Sequence, residues 1–180
     1  MKWTGKLSLI ALAASLFLCI ALALAQSGLK VKTDGDTWFL QGAFTSCSWK
    51  LALGNLALRQ AASMETKKFT ELMIADQGQI CRDLKILSDR KGIALSEDRE
   101  IVQQNTITSL SKEYGAAFDR LYISLMIDEH QRDAALYTKE AEKGGDGDTR
   151  AFAGKFIKRL KEYVKMAEKI LLDLPQPLLK

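Results

Sequence analysis

Two long stretches in which apolar residues return every three or four positions meet at a very short link around Ser63 and Met64, and this constrains the fold more than any other feature. Before the link, Leu40, Ala43, Phe44, Cys47, Leu51, Gly54, Leu58 and Ala61 mark one helical stripe over about Thr37 to Ala62. After it, Phe69, Leu72, Met73, Asp76, Ile80, Leu84 and Leu87 mark a second. Ser63 suits an N-cap, and Glu65 falls in the first turn, where the helix dipole favours negative charge. The second helix should stop at Lys91-Gly92, a basic last turn followed by the glycine that suits a left-handed cap. So short a link forces the two helices to lie side by side and antiparallel.

The same pattern returns further on. Phe118, Leu121, Tyr122, Leu125, Met126, Ala134 and Tyr137 form a stripe within Tyr114 to Lys143, which Ser111 can cap. After Gly144-Gly145, Asp148 or Thr149 can cap a last helix bearing Phe152, Phe156, Leu160, Tyr163, Ala167, Ile170 and Leu174, ended by Pro175 and Pro177. The longest connection is Ile93 to Ser111. Ser96, Glu97 and Asp98 suggest that a short helix starts there, and the polar run through Gln103, Gln104 and Asn105 predicts a mobile crossover. The reading is all-α: an antiparallel four-helix bundle over 37–174, with a polar leader at 26–36, a polar crossover between helices two and three, and a tail at 175–180.

Composition supports one domain, since 180 residues with 47% hydrophobic and 27% charged side chains can bury a real core. Met1 to Ala25 has the parts of a secretory signal: Lys2 and Lys6, an apolar run from Leu7, and Ala23-Leu24-Ala25 before polar Gln26. Cleavage after Ala25 is expected; an uncleaved anchor is the competing reading, because the run approaches the ~20 residues that span a bilayer. Cys19 follows Leu18 rather than a small residue, so it does not make a lipobox. The formal charge of +4 halves when Lys2 and Lys6 leave, and a balance spread over the helices without a basic stripe argues against nucleic acid. The mature chain then has no transmembrane segment and occupies an oxidising, exported space, periplasmic or extracellular, with outer-membrane association the further option. Cys47 and Cys81 lie almost equally far from the Ser63 turn, which predicts a disulfide between the first two helices. Two buried free thiols are the alternative, since helix axes ~8 to 10 Å apart strain the ~7 Å limit on Cα separation.

Most chemistries find no support. There is no Gly-x-Ser-x-Gly, phosphate loop, dinucleotide fingerprint or zinc-spaced cysteine set. Gly144 to Asp148 lacks the spaced acids of an EF-hand, and the scattered methionines read as core packing. The only histidine, His130, sits on the edge of its stripe beside Asp128, Glu129 and Asp133, and inward histidines near carboxylates are where bundles hold metals. Glu129 and Asp133, spaced i,i+4 on what reads as an exposed edge, are more often solvated than catalytic. No cofactor is expected.

Leu53-Gly54-Asn55-Leu56-Ala57-Leu58, Lys91-Gly92-Ile93-Ala94-Leu95, Gly115-Ala116-Ala117-Phe118-Asp119-Arg120, His130-Gln131 and Ala151-Phe152-Ala153 together resemble a bacterial family of exported ferritin-like four-helix proteins. Its members are described as predicted outer membrane proteins or as a domain of unknown function. The resemblance spans about Trp38 to Leu171. It implies a ferritin-like bundle and export, but no activity. It also implies a ligand layer, with an acid where this chain has Lys50 and histidines at Gln77, His130 and Tyr163, of which only His130 is kept. Independently, Lys50 and Gln77 are equidistant from the Ser63 turn, and His130 and Tyr163 nearly so from the loop at Asp146, which places all four at one height.

A di-iron bundle site needs two histidines and several inward acids, so this layer reads as degenerate: Lys50, Asp76, Gln77, His130 and Tyr163, with no metal. A buried Lys50 would pair with Asp76 or Glu129, with His130 and Tyr163 hydrogen-bonded nearby; the alternative is that Lys50 reaches out to solvent. The expected function is a non-enzymatic, stress-linked exported envelope protein that binds an envelope partner or small ligand. The competing expectation is a metal-binding or redox protein using Glu129, His130 and Asp133.

Overall fold

The computed structural model describes residues 34–97 and 101–176, so the expected signal at 1–25 and most of the leader lie outside the described residues. Five helices are described: α1 Asp34–Gln60, α2 Met64–Arg90, α3 Ile101–Leu110, α4 Gly115–Lys143 and α5 Gly147–Asp173. The chain is all-α. Four of the helices run for 27 to 29 residues and pack as a bundle, with α1 against α2 and α4, and α5 against α4 and α2. Short links join α1 to α2 and α4 to α5, and both pairs are antiparallel, as the length of their links demands. Contacts across the pairs run the same way: Asp36 meets Gly145 while Ala62 meets Asp119, and Asp83 meets Lys155 while Asp76 meets Tyr163.

The caps follow the sequence at some ends only. Ser63 caps α2 through its hydroxyl to Thr66 N, and Gly92 takes the left-handed φ of 63° expected of it. Asp146 rather than Asp148 or Thr149 caps α5, accepting from both of those backbone N–H groups. Ser111 caps nothing; Tyr114 precedes α4 without a side-chain bond, and Gly115 opens that helix at φ 62°. The expected crossover holds a regular helix, described over Ile101–Leu110, and Ser96 and Glu97 of the start signal lie outside it. α1 starts at Asp34, so the last residues of the supposed leader are helical.

Leu58, Leu72 and Leu121, counted in the stripes, are 40%, 40% and 51% exposed, because each helix meets only two neighbours and the rim of a wide stripe reaches solvent. Most of the remaining stripe residues fall in two apolar clusters. One gathers Trp49, Leu53, Phe69, Met73, Phe118, Tyr122 and Met126; the other gathers Phe39, Leu40, Phe44, Ile80, Leu84 and Tyr137. Each such buried side chain contributes about 1.5 to 3 kcal/mol. Between the clusters lies a polar layer: Lys50 on α1, Gln77 on α2, and His130 and Asp133 on α4, all buried. Cys47 and Cys81 are bonded at a Cα separation of 5.8 Å, one turn from Lys50, as the spacing predicts. One expectation fails on the surface. Lys158, Lys161, Lys165 and Lys169 are all exposed at three- and four-residue spacing on α5, a basic face that the near-neutral total conceals.

Candidate functional site

The polar layer between the two clusters is where the sequence concentrates its candidates. Lys50 is fully buried, and an ammonium taken out of water needs a charged partner. Asp133 of α4 supplies it: Lys50 Nζ donates to Asp133 Oδ2 and, at 2.6 Å, to Ser46 Oγ, while Ser46 Oγ donates to Asp133 Oδ1 at 2.6 Å. The expected partners are therefore corrected. Asp76 faces α5, where its Oδ2 accepts from Arg159 Nε at 2.6 Å, and Glu129 pairs with Arg132 on its own helix. Lys50 does not reach solvent. Asp133, read as a solvated edge, is only 5% exposed, because α4 turns that edge toward α1.

The other half of the layer lies between α2 and α5. Tyr163 OH is 2.7 Å from Asp76 Oδ2 and 3.1 Å from Leu72 O, two acceptors for its one proton. Burial and then the bond to Asp76 raise the phenol's pKa. Arg159 lies over the Tyr163 ring at 4.9 Å, and the neighbouring carboxylate favours its charged form. His130 packs between the halves, 4.9 Å from the Tyr163 ring and 6.3 Å from Phe69. Its Nδ1 is 2.8 Å from Met126 O, an acceptor, so Nδ1 carries the proton and Nε2 is left as an acceptor. Burial, then the Lys50 charge, lower its pKa to about 4 and keep the ring neutral. His130 Nε2 and Gln77 Nε2 are buried and have no hydrogen-bond partner.

Lys50, Asp76, His130 and Tyr163 thus do come together, joined by Asp133, which the i,i+4 spacing from Glu129 assigns to an exposed edge. The donor set does not fit a di-metal centre. Asp133 is taken by an ammonium, Asp76 by a guanidinium and a phenol, and among the described residues no group of three or more His, Cys, Asp or Glu side chains could hold a metal ion. What this arrangement can do chemically is hold charge in a fixed, internally neutral pattern.

Other buried acids, Asp119 and Asp36 among them, are not singled out by the sequence. Asp119, in the Gly-Ala-Ala-Phe-Asp-Arg run, accepts from Ala62 N at 3.1 Å and Ser63 N at 2.7 Å, tying α4 to the α1–α2 link. Next to it, Arg120 Nη1 donates to Leu171 O and Leu174 O, satisfying carbonyls at the end of α5. At the opposite end Asp36 Oδ1 accepts from Gly145 N at 3.0 Å and Asp146 N at 3.1 Å, tying α1 to the α4–α5 link. Only the short links themselves signalled that buried acceptors would be needed there.

These elements define a helical bundle of a shape found in other bacterial chains. A DUF305 fragment from Deinococcus radiodurans superposes with a TM-score of 0.72 at 16% identity, covering 79% of this chain and 98% of that one. A "putative secreted protein DUF305" from Streptomyces coelicolor does so at 0.68 and 11% identity, covering 77% and 91%. At such identities the likeness shows the fold alone. Residues 21–170 match the family described as Domain of unknown function (DUF4142), and the chain belongs to that family. No curated protein matches it. Among the described residues no helix is long and apolar enough to cross a membrane.

Proposed function

We propose that this is an exported, non-enzymatic protein of the cell envelope, a ferritin-like bundle whose ligand layer has become a structural ion-pair layer and which acts by binding a partner or small ligand, in a role linked to stress. The observation that carries this is the buried pair of Lys50 and Asp133, a cation built into the chain at the height where metal ligands would meet. The ferritin-like reading draws support from the chain between α2 and α4, which is bonded to α1 at two distant points. Gln41 Nε2 donates to Ser96 O, and Gln60 Nε2 to Ser111 O, as a crossover running along the bundle would require. Export draws support from the signal-like 1–25, the disulfide and the secreted description of the Streptomyces protein.

The test is metal analysis of protein recovered from its native compartment, alongside cell fractionation and the mass of its N-terminus. The expected result is a chain beginning at Gln26 in the exported fraction, with no stoichiometric metal. Iron, manganese or zinc retained in stoichiometric amount, and lost on His130→Ala, would overturn the reading in favour of a metal or redox protein.

A further inference from the structure

The end of the bundle that holds Asp36 carries a cavity of about 530 Å³, within the size range of small-molecule sites. Its wall is apolar, made by Trp38, Phe39 and Leu136; its floor is Asp36 and Glu140; Lys139 and Lys143 also line it. Trp38 is 79% exposed, an unusual place for an indole. Glu140, by contrast, is only 7% exposed, and its Oε1 has no hydrogen-bond partner. That oxygen lies against Gly144, which also lines the cavity, and a Cβ at position 144 would collide with it. The carboxyl is therefore held at the back of the cavity by a residue with no side chain, with an acceptor left over. A buried acceptor without a donor is a standing cost that a ligand's N–H would recover.

We propose that this cavity binds a small zwitterion of the amino-acid class. Its ammonium would bond to Glu140 Oε1 and the Asp36 carboxylate, its carboxylate would face Lys139 and Lys143, and its apolar body would pack on Trp38, Phe39 and Leu136. A simple anion would meet the acidic floor, and a simple cation would leave both lysines unused. Ammonium and indole attract one another as well, since the ring face is negative. The site also carries its own proton account. Burial, then the bond and the charge of Asp36, raise the Glu140 pKa to about 7, with Asp146 raising it further and Arg150 of α5 opposing. Lys91, at the end of α2, is bonded to Asp146 and reaches Glu140 only through it. An arriving ammonium ionises Glu140 and takes the place of its proton, so binding releases a proton near neutrality and strengthens as pH rises through 7.

This assignment gives a ligand class to the binding role proposed above, but it uses none of the residues of the polar layer. Its failure would leave the metal test unaffected. The experiment is calorimetric titration of the full mature protein at pH 7 with L-phenylalanine, phenethylamine and 3-phenylpropionate, in two buffers of different ionisation enthalpy. L-Phenylalanine should bind saturably with proton release, phenethylamine several-fold more weakly, and 3-phenylpropionate not at all. Glu140→Gln should weaken L-phenylalanine at least about tenfold and abolish the proton release. Trp38→Ala, on an exposed side chain that the fold does not use, should weaken it several-fold with the melting temperature unchanged. No saturable binding by any probe, binding indifferent to both substitutions, or phenethylamine binding as tightly as L-phenylalanine would each overturn the proposal.

Discussion

Two buried acid sites of this bundle are neutralised by different means. In the middle, Asp133 faces the ammonium of Lys50 and a serine hydroxyl. At the end, Asp36 spends one oxygen on two backbone N–H groups and is bonded to Glu140, whose carboxyl retains a proton up to about pH 7. The first site is closed: its cation is fully buried. The second adjoins a cavity and has an acceptor to spare. An acid neutralised by a built-in lysine has no use for an outside cation, whereas one neutralised by a proton can exchange it. The layer that the family resemblance singles out is thus the less promising place to look for binding.

The comparison can be sharpened by removing supports that both sites share. Replacing Cys47 and Cys81 by serine should cost ~3 kcal/mol in chemical denaturation, equally at about pH 5 and about pH 8, because the loss is one of chain constraint. A smaller loss falls on Asp119→Ala, which strands the N–H groups of Ala62 and Ser63; roughly 2 kcal/mol is expected. Asp119 offers both carboxylate oxygens to backbone donors, so it serves as the control for the proton-sharing acid at the other end.

The effect that depends on pH is the most diagnostic. Glu140 has its folded pKa raised from 4.5 to about 7, so the folded state holds more protons than the unfolded chain between those values. Its contribution is complete below 4.5 and is lost as pH rises through 7. Stability should therefore decline from about pH 5 to about pH 8, and Glu140→Gln should flatten that slope. Asp146 lies on the opposite side: burial resists, but bonds from Lys91 and Thr149 prevail and lower it to about 2, so its contribution is lost only in strong acid. A slope that survives Glu140→Gln would break the comparison.

Much of this was legible in the sequence. The 3.6-residue period and the two short links dictate long antiparallel helices, and equal distance from a turn puts Cys47 opposite Cys81 and Lys50 at the height of Gln77. Height along a bundle is what such counting yields. Azimuth is harder: it decides that Lys50 faces α4 and Asp133 rather than α2 and Asp76, and an error of one residue in phase turns a helix by roughly 100°. That is why Asp133 was read as solvated. Glu140 was hidden for another reason. It stands between Lys139 and Glu142-Lys143, a run that looks like a solvated face, and only the packing of α1 onto the α4–α5 link buries it. Asp36 was hidden by the leader it seemed to end.

The central claim, that the layer is neutralised from within, is tested most directly by a double-mutant cycle of Lys50→Met, Asp133→Leu and the pair together, followed by denaturation. Each single change strands a buried charge and should cost about 3 to 5 kcal/mol, while the double variant should stand within about 1 kcal/mol of the parent protein, since apolar residues of similar size replace a buried ion pair at little cost. Single losses that simply add in the double variant would contradict the account, because Lys50 and Asp133 would then not be each other's counter-charge.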